Sequence, residues 1–444
     1  MTSLKLKKDN GKVKFRVMGK YVITTFGCQA NLADSEKTAE IMENMGYVRA
    51  SNMKDLIFAR NPVLIFNTCS VRQKAEDRVF CLNKKLKALK DKNKNIKIIL
   101  TGCMMHYSEK ELKKYLPYFD HFIDIKKIGS LPKILNAEKM SELNVTDKQR
   151  SHFIGNILKN QKTKVSALIP VSHGCDNFCA YCIVPYARGR EISRPVKNIV
   201  EDVKKALKNR TKEIWLLGQN VNSYQKELDF AGLLRVINAT PGDFWIRFTS
   251  PHPKDFSDNL IKAMAECEKF AHYINLPVQS GNNQILKKMG RPYTVSHYKK
   301  LVKKLREKMP DIAISTDVIV GFPTETKRQF GDTIKLFKEV KFDMAFISEY
   351  SPRPKTAAAK IFKDDVPHKE KERRKEELNE ILKRTALENN KKLVGTTVKV
   401  LNNRTAGNKL VEIKSVKHSV FDKNEFVDVK ITEATPWKLI GKLL

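Results

Sequence analysis

Short apolar runs rich in β-branched residues alternate with helical spacing over the first part of the chain. The runs YVITTFGC, PVLIFNTCS and NIKIILTGCMM occupy residues 21–28, 62–70 and 95–105. Between them, apolar residues recur at helical intervals from about Leu32 to Met45 and from Val71 to Lys90. This β-α-β-α-β order predicts an α/β domain with a parallel sheet and right-handed crossovers.

A second alternation of strands and helices follows from about residue 165. Its six apolar runs are SALIPVSHG, EIWLLGQN, FWIRFTS, YINLPVQS, IAISTDVIVG and FDMAFISEY. Helical segments such as Val196–Lys208 and Thr326–Val340 separate them. Six parallel βα units predict a full or partial (βα)6 barrel, whose functional residues lie at the carboxyl ends of its strands.

The remaining segments complete the predicted domain order. Residues 366–392 form a strongly charged helical stretch, and the β-rich runs after it predict a small antiparallel β-barrel. A polar, basic segment separates the two α/β regions and predicts a linker. The predicted organisation is a first domain over 18–140, a linker over 141–164, a core domain over 165–375, and a connecting helix with a β-barrel over 376–444.

The charge of the chain indicates a polyanionic partner. There are 84 Lys and Arg against 49 Asp and Glu, which gives a net charge of +35. Nucleic acid is the leading partner class, and the alternative is a chain whose many lysines simply cover solvated faces. No apolar run reaches the roughly 18 residues of a membrane span, and the first residues lack the apolar core of a secretory signal. We therefore expect a cytoplasmic protein with no membrane partner.

Eight cysteines in a reducing compartment are candidates for metal binding or catalysis rather than for disulfides. Cys28, Cys69 and Cys103 each follow one strand of the first sheet. Because the carboxyl ends of parallel strands share one edge, these three cysteines are predicted to meet in space. The alternative is three buried cysteines in apolar strands. Cys81 and Cys267 have no partner at ligand spacing, and both are predicted to be buried helix residues.

Cys175, Cys179 and Cys182 form a C-x3-C-x2-C triplet directly after the first barrel strand. Zinc sites usually close with four ligands, and this triplet has no local fourth cysteine. A cubane cluster held by three thiolates leaves one iron open to a substrate or cofactor. The alternatives are an accidental cysteine-rich loop and an incomplete zinc knuckle.

The triplet and its surroundings resemble the radical S-adenosylmethionine (SAM) superfamily, whose loop of this spacing holds a [4Fe–4S] cluster at the mouth of a partial (βα)6 barrel. The resemblance extends along most of the chain. TFGCQAN, FNTCSVRQKAEDRV, TGCMM, GCDNFCAYCIVPYARGREISRP, LLGQNVNSY, LPVQSGNNQILKKMGR, STDVIVGFPTET and SPRPKTAAA are similar to motifs of the methylthiotransferases. The match is best to the tRNA branch known as the MiaB group.

The resemblance implies two [4Fe–4S] clusters and two uses of SAM. Cys175, Cys179 and Cys182 would hold the cluster that binds SAM, and Cys28, Cys69 and Cys103 would hold a second, auxiliary cluster. One SAM would supply a methyl group to a sulfur at the auxiliary cluster. The other would supply the radical that abstracts hydrogen from C2 of an adenine.

The substrate implied by the resemblance is a tRNA carrying N6-isopentenyladenosine next to the anticodon, gripped by a C-terminal TRAM β-barrel. A reducing partner such as flavodoxin or ferredoxin and a donor of sulfur or iron–sulfur clusters are further expected partners. The alternatives are the same chemistry on threonylcarbamoyladenosine or on a ribosomal-protein aspartate. An alternative of another class is a non-enzymatic iron–sulfur RNA-binding redox sensor.

Polar residues at the strand ends are the remaining candidates for the active site. Those predicted to bind the cofactor are Tyr181, Gln219, Asn220, Gln279, Ser280, Asp317 and Gly321. Those predicted to be catalytic or to bind the substrate are Arg188, Arg194, Arg247 and Arg353. His252 is a weaker candidate, since a lone histidine is more often structural. A structural salt bridge is expected for at least one of the arginines after the cluster loop.

Overall fold

A computed structural model describes four stretches of the chain, residues 18–71, 73–135, 165–414 and 424–444, and the backbone of a short antiparallel pair, Lys8–Asp9 with Lys12–Val13. The chain divides into two compact units, Met1–Lys159 and Asn160–Leu444. The predicted linker 141–164 lies outside the described residues. Among the described residues, no helix is both long and apolar enough to cross a bilayer.

The N-terminal unit is built on a five-stranded parallel sheet. Its strands are β1 (Gly19–Phe26), β2 (Tyr47–Arg49), β3 (Val63–Thr68), β4 (Lys97–Gly102) and β5 (His121–Ile123). They lie in the order β2-β1-β3-β4-β5, and every pairing is parallel. The three predicted strands are thus confirmed at the centre of the sheet, and two short strands extend its edges.

Helices cover both faces of this sheet. They are α1 (Gln29–Asn44), α2 (Gln73–Phe80), α3 (Asn83–Lys92), α4 (Glu109–Tyr115) and α5 (Leu131–Ile134). All six residues of β3 are buried. Leu64 and Phe66 belong to one apolar cluster, whereas Val63 and Ile65 belong to another. Alternate residues of the central strand therefore fill two cores, as parallel sheets require.

The single helix predicted from Val71 to Lys90 is wrong, because the chain turns at Cys81 and Leu82 between α2 and α3. Val79, Phe80 and Leu82 span more than one helical face. The turn lets all three pack against the same apolar cluster, with Val79 fully buried. Cys81 is left exposed, so its predicted burial in a helix is also wrong.

Six parallel strands form the core of the C-terminal unit, as predicted. They are β6 (Ser166–Pro170), β7 (Glu213–Leu217), β8 (Trp245–Phe248), β9 (Tyr273–Asn275), β10 (Ala313–Val320) and β11 (Met344–Glu349). They pair as two parallel sheets, β8-β7-β6 and β9-β10-β11. An isolated parallel β-bridge pairs Ile246 of β8 with Phe270, which precedes β9 in the chain. The order along the chain is the order in space within each sheet.

The strands of the C-terminal unit alternate with helices. These are α6 (Val184–Arg188), α7 (Val196–Lys208), α8 (Phe230–Asn238), α9 (Asp258–Glu266), α10 (Asn283–Lys288), α11 (Val295–Lys308), α12 (Lys327–Val340), α13 (Ala357–Ile361) and α14 (His368–Lys391). The predicted bounds of α7 are confirmed. Thr326 caps α12 through a reciprocal pair of hydrogen bonds with Gln329, so this helix begins one residue later than predicted. Cys267 is buried at the end of α9.

The last element is a curled five-stranded sheet. Its strands are β12 (Thr397–Leu401), β13 (Arg404–Thr405), β14 (Val411–Lys414), β15 (Val427–Ala434) and β16 (Leu439–Leu443), in the order β13-β12-β15-β16-β14. The amide of Val411 donates to the carbonyl of Asn403 at 2.8 Å and draws the two edges together. The pair β14 and β16 is parallel. The wholly antiparallel arrangement predicted here is therefore wrong for one pair, because β15 lies between these two strands in the chain and is itself antiparallel to β16.

Candidate active site

Three cysteines follow the three central strands of the N-terminal sheet. The last residues of β1, β3 and β4 stand in register, so the strands end at one level. Cys69 and Cys103 come directly after β3 and β4, and Cys28 caps α1 just after β1. The thiols of Cys103 and Cys28 lie within hydrogen-bonding reach of the Cys69 thiol, and with burial they raise the pKa of Cys69 far above its ordinary value. The three thiols therefore meet at one edge of the sheet.

A network of two buried amides supports the Cys28 side of this cluster of thiols. The thiol of Cys28 donates to Oδ1 of Asn31 at 3.3 Å. The Asn31 amide in turn donates to Oδ1 of Asn67 at 2.9 Å, and the Asn67 amide donates to the Asn31 carbonyl at 2.9 Å. On the other side, the amide of Val71 donates to Sγ of Cys69 at 3.3 Å. Side-chain packing and backbone donors thus fix the sulfur positions.

The glycine before Cys103 is required by this arrangement. Gly102 has φ +97° and packs against the Asn67 side chain and the Thr68 carbonyl. A Cβ at this position would lie only 2.6 Å from the Thr68 carbonyl oxygen. We expect Gly102→Ala to lower the free energy of unfolding by about 1 kcal/mol or more, because the side chain would force both neighbours and the left-handed backbone to shift. The thermal unfolding midpoint and the iron content of the purified protein measure this effect.

Gly331 provides a matched control for that substitution. It lies inside α12, and a Cβ at its position would meet nothing within 4 Å. Gly331→Ala is expected to raise the free energy of unfolding by about 0.5–1 kcal/mol, since alanine favours the helix. Equal effects of the two substitutions on stability and iron content would show that Gly102 has no special role.

The second set of cysteines lies in a loop that hydrogen bonds hold to the strand ends of the C-terminal unit. The Cys175 amide donates to the Gly189 carbonyl at 3.0 Å, and Oε1 of Gln219 accepts from the Gly174 amide at 2.6 Å. Cys175 and Cys179 are buried, and Cys182 is half-buried. Burial, with the charge of Cys179, raises the pKa of Cys175 to about 11 and that of Cys182 to about 12. The thiol of Cys179 therefore lies near enough to act on the other two.

A buried cation stands against this second set of thiols. Arg291 is 7% exposed, and its Nη1 donates to Sγ of Cys179 at 3.6 Å. Its other described partners are the Tyr293 hydroxyl at 2.9 Å and the Pro277 carbonyl at 3.0 Å. Burial lowers the pKa of Arg291, but Tyr181, Tyr293 and Cys179 outweigh it and raise the pKa overall. A buried guanidinium without a described carboxylate partner requires an anion, and a thiolate-bound cluster supplies one.

Buried polar atoms without a described partner collect after the strands of the C-terminal unit. They are Oγ of Ser172 after β6, Oδ1 of Asn220 after β7, Nε2 of His252 after β8 and the hydroxyl of Tyr350 after β11. All four residues are at most 5% exposed. An unsatisfied polar atom is costly to bury, so these atoms fit a site that takes a polar ligand.

His252 is neutral at this edge. Its Nδ1 accepts from the Lys254 amide at 3.2 Å, which leaves the proton on Nε2. Burial, with the positive charges of Arg291 and Lys254, lowers the pKa of His252 to about 2. The ring is therefore a hydrogen-bond donor through Nε2 over the whole physiological range.

This pKa predicts a pH dependence of stability. An unfolded histidine binds a proton near pH 6.5, whereas native His252 does so only near pH 2, so the unfolded chain alone takes up the proton between these values. The free energy of unfolding should fall with falling pH, with a slope from this group that grows to about 1.4 kcal/mol per pH unit below the pKa of an unfolded histidine. His252→Asn keeps an acceptor for the Lys254 amide and removes the titration. Between pH 6.5 and 5, the unfolding midpoint of the wild type should fall more steeply than that of the variant; parallel curves would contradict the assignment.

Both sets of cysteines have the composition of a three-thiolate cubane site. The residues that the structure describes contain no group of three or more His, Cys, Asp or Glu side chains around a single metal-ion position. A cubane takes each thiolate at a different iron atom, so its ligands need not share one centre. In each set the donors are three thiols, and a backbone amide donates to sulfur. Five of the six cysteines are buried or half-buried, and Cys28 is exposed. The residues therefore fit an under-ligated [4Fe–4S] cluster in each unit.

Comparisons with known proteins agree with this geometry. Residues 169–337 match the Radical SAM superfamily, and residues 20–124 match the family described as Uncharacterized protein family UPF0004. The chain is 41% identical to the tRNA-2-methylthio-N(6)-dimethylallyladenosine synthase of Clostridium novyi (strain NT), over 96% of each chain. It is 40% identical to the synthase of the same name from Caldicellulosiruptor saccharolyticus, over 98% of this chain and 93% of the relative. The chain belongs to this family of synthases.

A solved structure of another enzyme has a fold similar to that of this synthase. The radical S-adenosylmethionine methyltransferase TsrM from Kitasatospora setae aligns with a TM-score of 0.60 at 13% identity, over 77% of this chain and 75% of that chain. At this identity the likeness shows the fold alone.

The residues predicted to bind the cofactor surround the strand ends in different ways. Gln219 holds the Gly174 amide, and Asn220 donates to Asp255 at 2.7 Å. Oδ2 of Asp317 accepts from the Asn275 amide at 2.7 Å, which supplies a partner for this carboxylate. The backbone of Gln279, at φ +70°, pairs with the strand β10.

Three more of these residues have well-defined surroundings. Ser280 is fully buried, and its hydroxyl accepts from the Asn282 amide at 3.2 Å. Tyr181 packs against the apolar cluster that includes Phe322 and Tyr350. Gly321, at φ +66°, donates its amide to Glu325 at 2.7 Å and lies against the stem of a lysine of α14. The described contacts of Gly321 thus attach the last long helix to the core.

The four predicted arginines are all buried, and Arg194 and Arg247 form ion pairs. Arg194 forms an ion pair with Asp202 at 2.7 Å, which confirms the expected structural salt bridge. Arg247 pairs with Glu213 at 2.6 Å and also donates to carbonyls of the C-terminal sheet. A role in substrate binding or catalysis for Arg188, Arg194, Arg247 and Arg353 stays a prediction.

Sequence reasoning missed Arg291, whose guanidinium contacts the thiol of Cys179. It follows Gly290, which has φ +69° and lies with its backbone against residues 178–180. The signal was present in the motif ILKKMGR, where a glycine that ends a helix precedes an arginine. Nothing in the spacing relates that arginine to a cysteine 112 residues earlier.

Proposed function

We propose that this protein is a radical-SAM tRNA methylthiotransferase that converts N6-isopentenyladenosine next to the anticodon into its 2-methylthio derivative. The observation that carries this proposal is the presence of two separate sets of three cysteines, each at the carboxyl edge of a parallel sheet. The relatives are named as synthases of 2-methylthio-N(6)-dimethylallyladenosine in tRNA, which supports this substrate.

Each set of cysteines is proposed to hold one [4Fe–4S] cluster. Cys175, Cys179 and Cys182 would hold the cluster that binds SAM, because the matched superfamily region contains them. Cys28, Cys69 and Cys103 would hold the auxiliary cluster, and they fall in the other matched region. When bound, these groups supply reductive cleavage of SAM to a radical in one unit and the sulfur that becomes the methylthio group in the other.

The chain's own residues would bind, orient and shield the reacting groups. Arg291 would balance the negative charge of the cluster at Cys179 in a region from which water is excluded. The neutral Nε2–H of His252 and the amide oxygen of Asn220 offer one donor and one acceptor to a polar ligand. Tyr181 would pack against the ligand's adenine from the apolar cluster that it shares with Phe322.

The RNA and the supporting partners complete the proposal. The net charge of +35 suits a tRNA, and the curled C-terminal sheet would act as a TRAM-like grip for it. The strands β6 to β11 would form the partial (βα)6 barrel. A reducing partner such as flavodoxin or ferredoxin would supply the electron, and a donor would replace the consumed sulfur. The site of action would be the cytoplasm.

The decisive test is the modified nucleoside itself. Anaerobically reconstituted protein is incubated with dithionite, SAM and, in separate reactions, tRNA that carries N6-isopentenyladenosine or threonylcarbamoyladenosine, and the digested nucleosides are analysed by mass spectrometry. We expect 2-methylthio-N6-isopentenyladenosine together with 5′-deoxyadenosine. Methylthiolation of threonylcarbamoyladenosine instead would reassign the substrate. The absence of 5′-deoxyadenosine would refute the enzymatic function and favour the alternative of a non-enzymatic RNA-binding redox sensor.

A further inference from the structure

Two exposed aromatic rings lie on the loop that carries the cluster cysteines of the C-terminal unit and on the short helix directly after it. Phe178, between Cys175 and Cys179, is 54% exposed, and Tyr186 of α6 is 43% exposed. Their ring centroids are 6.3 Å apart and the rings stand at 83° to each other. A contiguous exposed pair of large aromatic side chains is a candidate contact surface.

A cation completes this surface. The guanidinium carbon of Arg190 lies 6.0 Å from the centroid of the Phe178 ring. Two hydrogen bonds, at 2.7 and 3.2 Å, tie it to the carboxylate of Asp176, which fixes the planar group beside the ring. We call the side chains of Phe178, Tyr186 and Arg190 the Phe178 patch. Asp176 offsets the charge of Arg190, so what the patch offers a ligand is mainly flat, polarisable surface.

The position of the patch relates it to the chemistry. Phe178 is the residue directly before the cluster cysteine Cys179, and its carbonyl lies beside exposed Gly290 at the end of α10. The last turn of α10 adds Lys287 and Lys288. A ligand on the patch therefore contacts the same loop that holds the thiols and lies beside a basic helix end.

The proposed reaction creates a need for such a surface. To reach an atom of an adenine, an enzyme must take that base out of the stack of the RNA loop, and its neighbours lose a stacking partner. Unpaired bases of RNA loops are bound by stacking on aromatic side chains and on arginine planes. We propose that the Phe178 patch stacks an unpaired base of the anticodon loop that flanks the target adenosine. This inference rests on the proposed tRNA substrate and adds the residues that would hold its loop.

Binding measurements test the proposal without relying on turnover. The holoprotein is titrated into an anticodon stem-loop RNA with 2-aminopurine at a position next to the target adenosine, and anisotropy and fluorescence quenching are recorded. Wild type should quench the fluorescence by stacking. Phe178→Leu keeps an apolar side chain but removes the ring, and it should weaken binding roughly five- to hundredfold and abolish quenching. Phe178→Tyr should restore both.

Controls separate this result from damage to the protein. Tyr186→Leu, four residues beyond the last cluster cysteine, should weaken binding in the same direction with unchanged iron and sulfide content. Tyr115 forms a similar edge-on pair with Phe80, at 6.0 Å, and is 56% exposed, so Tyr115→Leu should leave affinity unchanged. A plot of the logarithm of the binding constant against the logarithm of the salt concentration should have the same slope for wild type and Phe178→Leu, because stacking releases no counterions.

The outcomes distinguish the patch from the proposed function. Wild-type affinity and quenching in both Phe178→Leu and Tyr186→Leu would overturn the proposed stacking on the Phe178 patch, whether or not the protein forms the methylthio nucleoside. Wild-type protein that binds and quenches but forms no methylthio nucleoside would refute the proposed function and leave the patch standing. Altered sedimentation of the RNA-free Phe178→Leu variant with unchanged RNA affinity would show a protein contact and overturn the proposal.

Discussion

Cys69→Ala should reduce the iron content of the protein from about eight atoms to about four and abolish the methylthio product. Cys69 is the middle member of its set, because β3 lies between β1 and β4 and its thiol neighbours those of both Cys28 and Cys103. Its loss leaves two thiolates at separate corners, too few to retain a cubane. Iron and sulfide analysis with mass spectrometry of the nucleosides measures both effects.

The same variant should still cleave SAM. The loop of Cys175, Cys179 and Cys182 belongs to the other unit, so 5′-deoxyadenosine should form in the presence of dithionite. Cys81→Ala is the matched control, since this cysteine is exposed and lies at a turn between helices. It should retain about eight iron atoms. Full iron content in Cys69→Ala, or equal losses in both variants, would contradict the assignment of the auxiliary site.

Arg247→Met should lower the free energy of unfolding by about 3–5 kcal/mol, since it breaks a buried ion pair. The Arg247 side chain is fully buried, pairs with Glu213 at 2.6 Å and lies 5.1 Å from the centroid of Trp245. It also donates to the carbonyls of Ala406 and Thr405 at 2.7 and 2.9 Å. The variant would leave the Glu213 carboxylate without its ion-pair partner. It would also remove a contact between the core strands and the C-terminal sheet.

Thermal unfolding and limited proteolysis measure this loss. Arg235→Met is the control, because Arg235 pairs with Glu266 at 3.2 Å on the surface and should contribute less than about 1 kcal/mol. Trypsin should cut Arg247→Met faster than the control at Lys391, the last residue of α14, and at Lys392, the first residue of the connection to β12. A stable Arg247→Met protein with impaired RNA turnover would instead support the substrate role predicted from the sequence.

The edge of the N-terminal sheet was predictable because its information is local. Each of Cys28, Cys69 and Cys103 lies at or near the end of an apolar run, and the parallel order of the runs follows from the helices between them. The six core strands were predictable for the same reason. The amide network of Asn31 and Asn67 was not, because it depends on two side chains 36 residues apart that meet only once the sheet forms.

The errors arose where packing across elements overrides local pattern. The turn at Cys81 exists because a wide apolar run packs better as two helices than as one. The parallel pairing of β14 with β16 depends on the path of the intervening strand. Arg247 follows the pattern of a strand-end cation, yet its partners include Thr405 and Ala406, about 160 residues further along the chain, which no spacing rule relates to it.

Anaerobic counting of iron and acid-labile sulfide on the reconstituted full-length protein tests most directly whether both sets of cysteines hold cubanes. The account predicts about eight of each per chain, with two sets of [4Fe–4S] signals that Cys69→Ala and Cys179→Ala remove separately. About four of each, unaffected by Cys69→Ala, would contradict the auxiliary cluster at the edge of the N-terminal sheet.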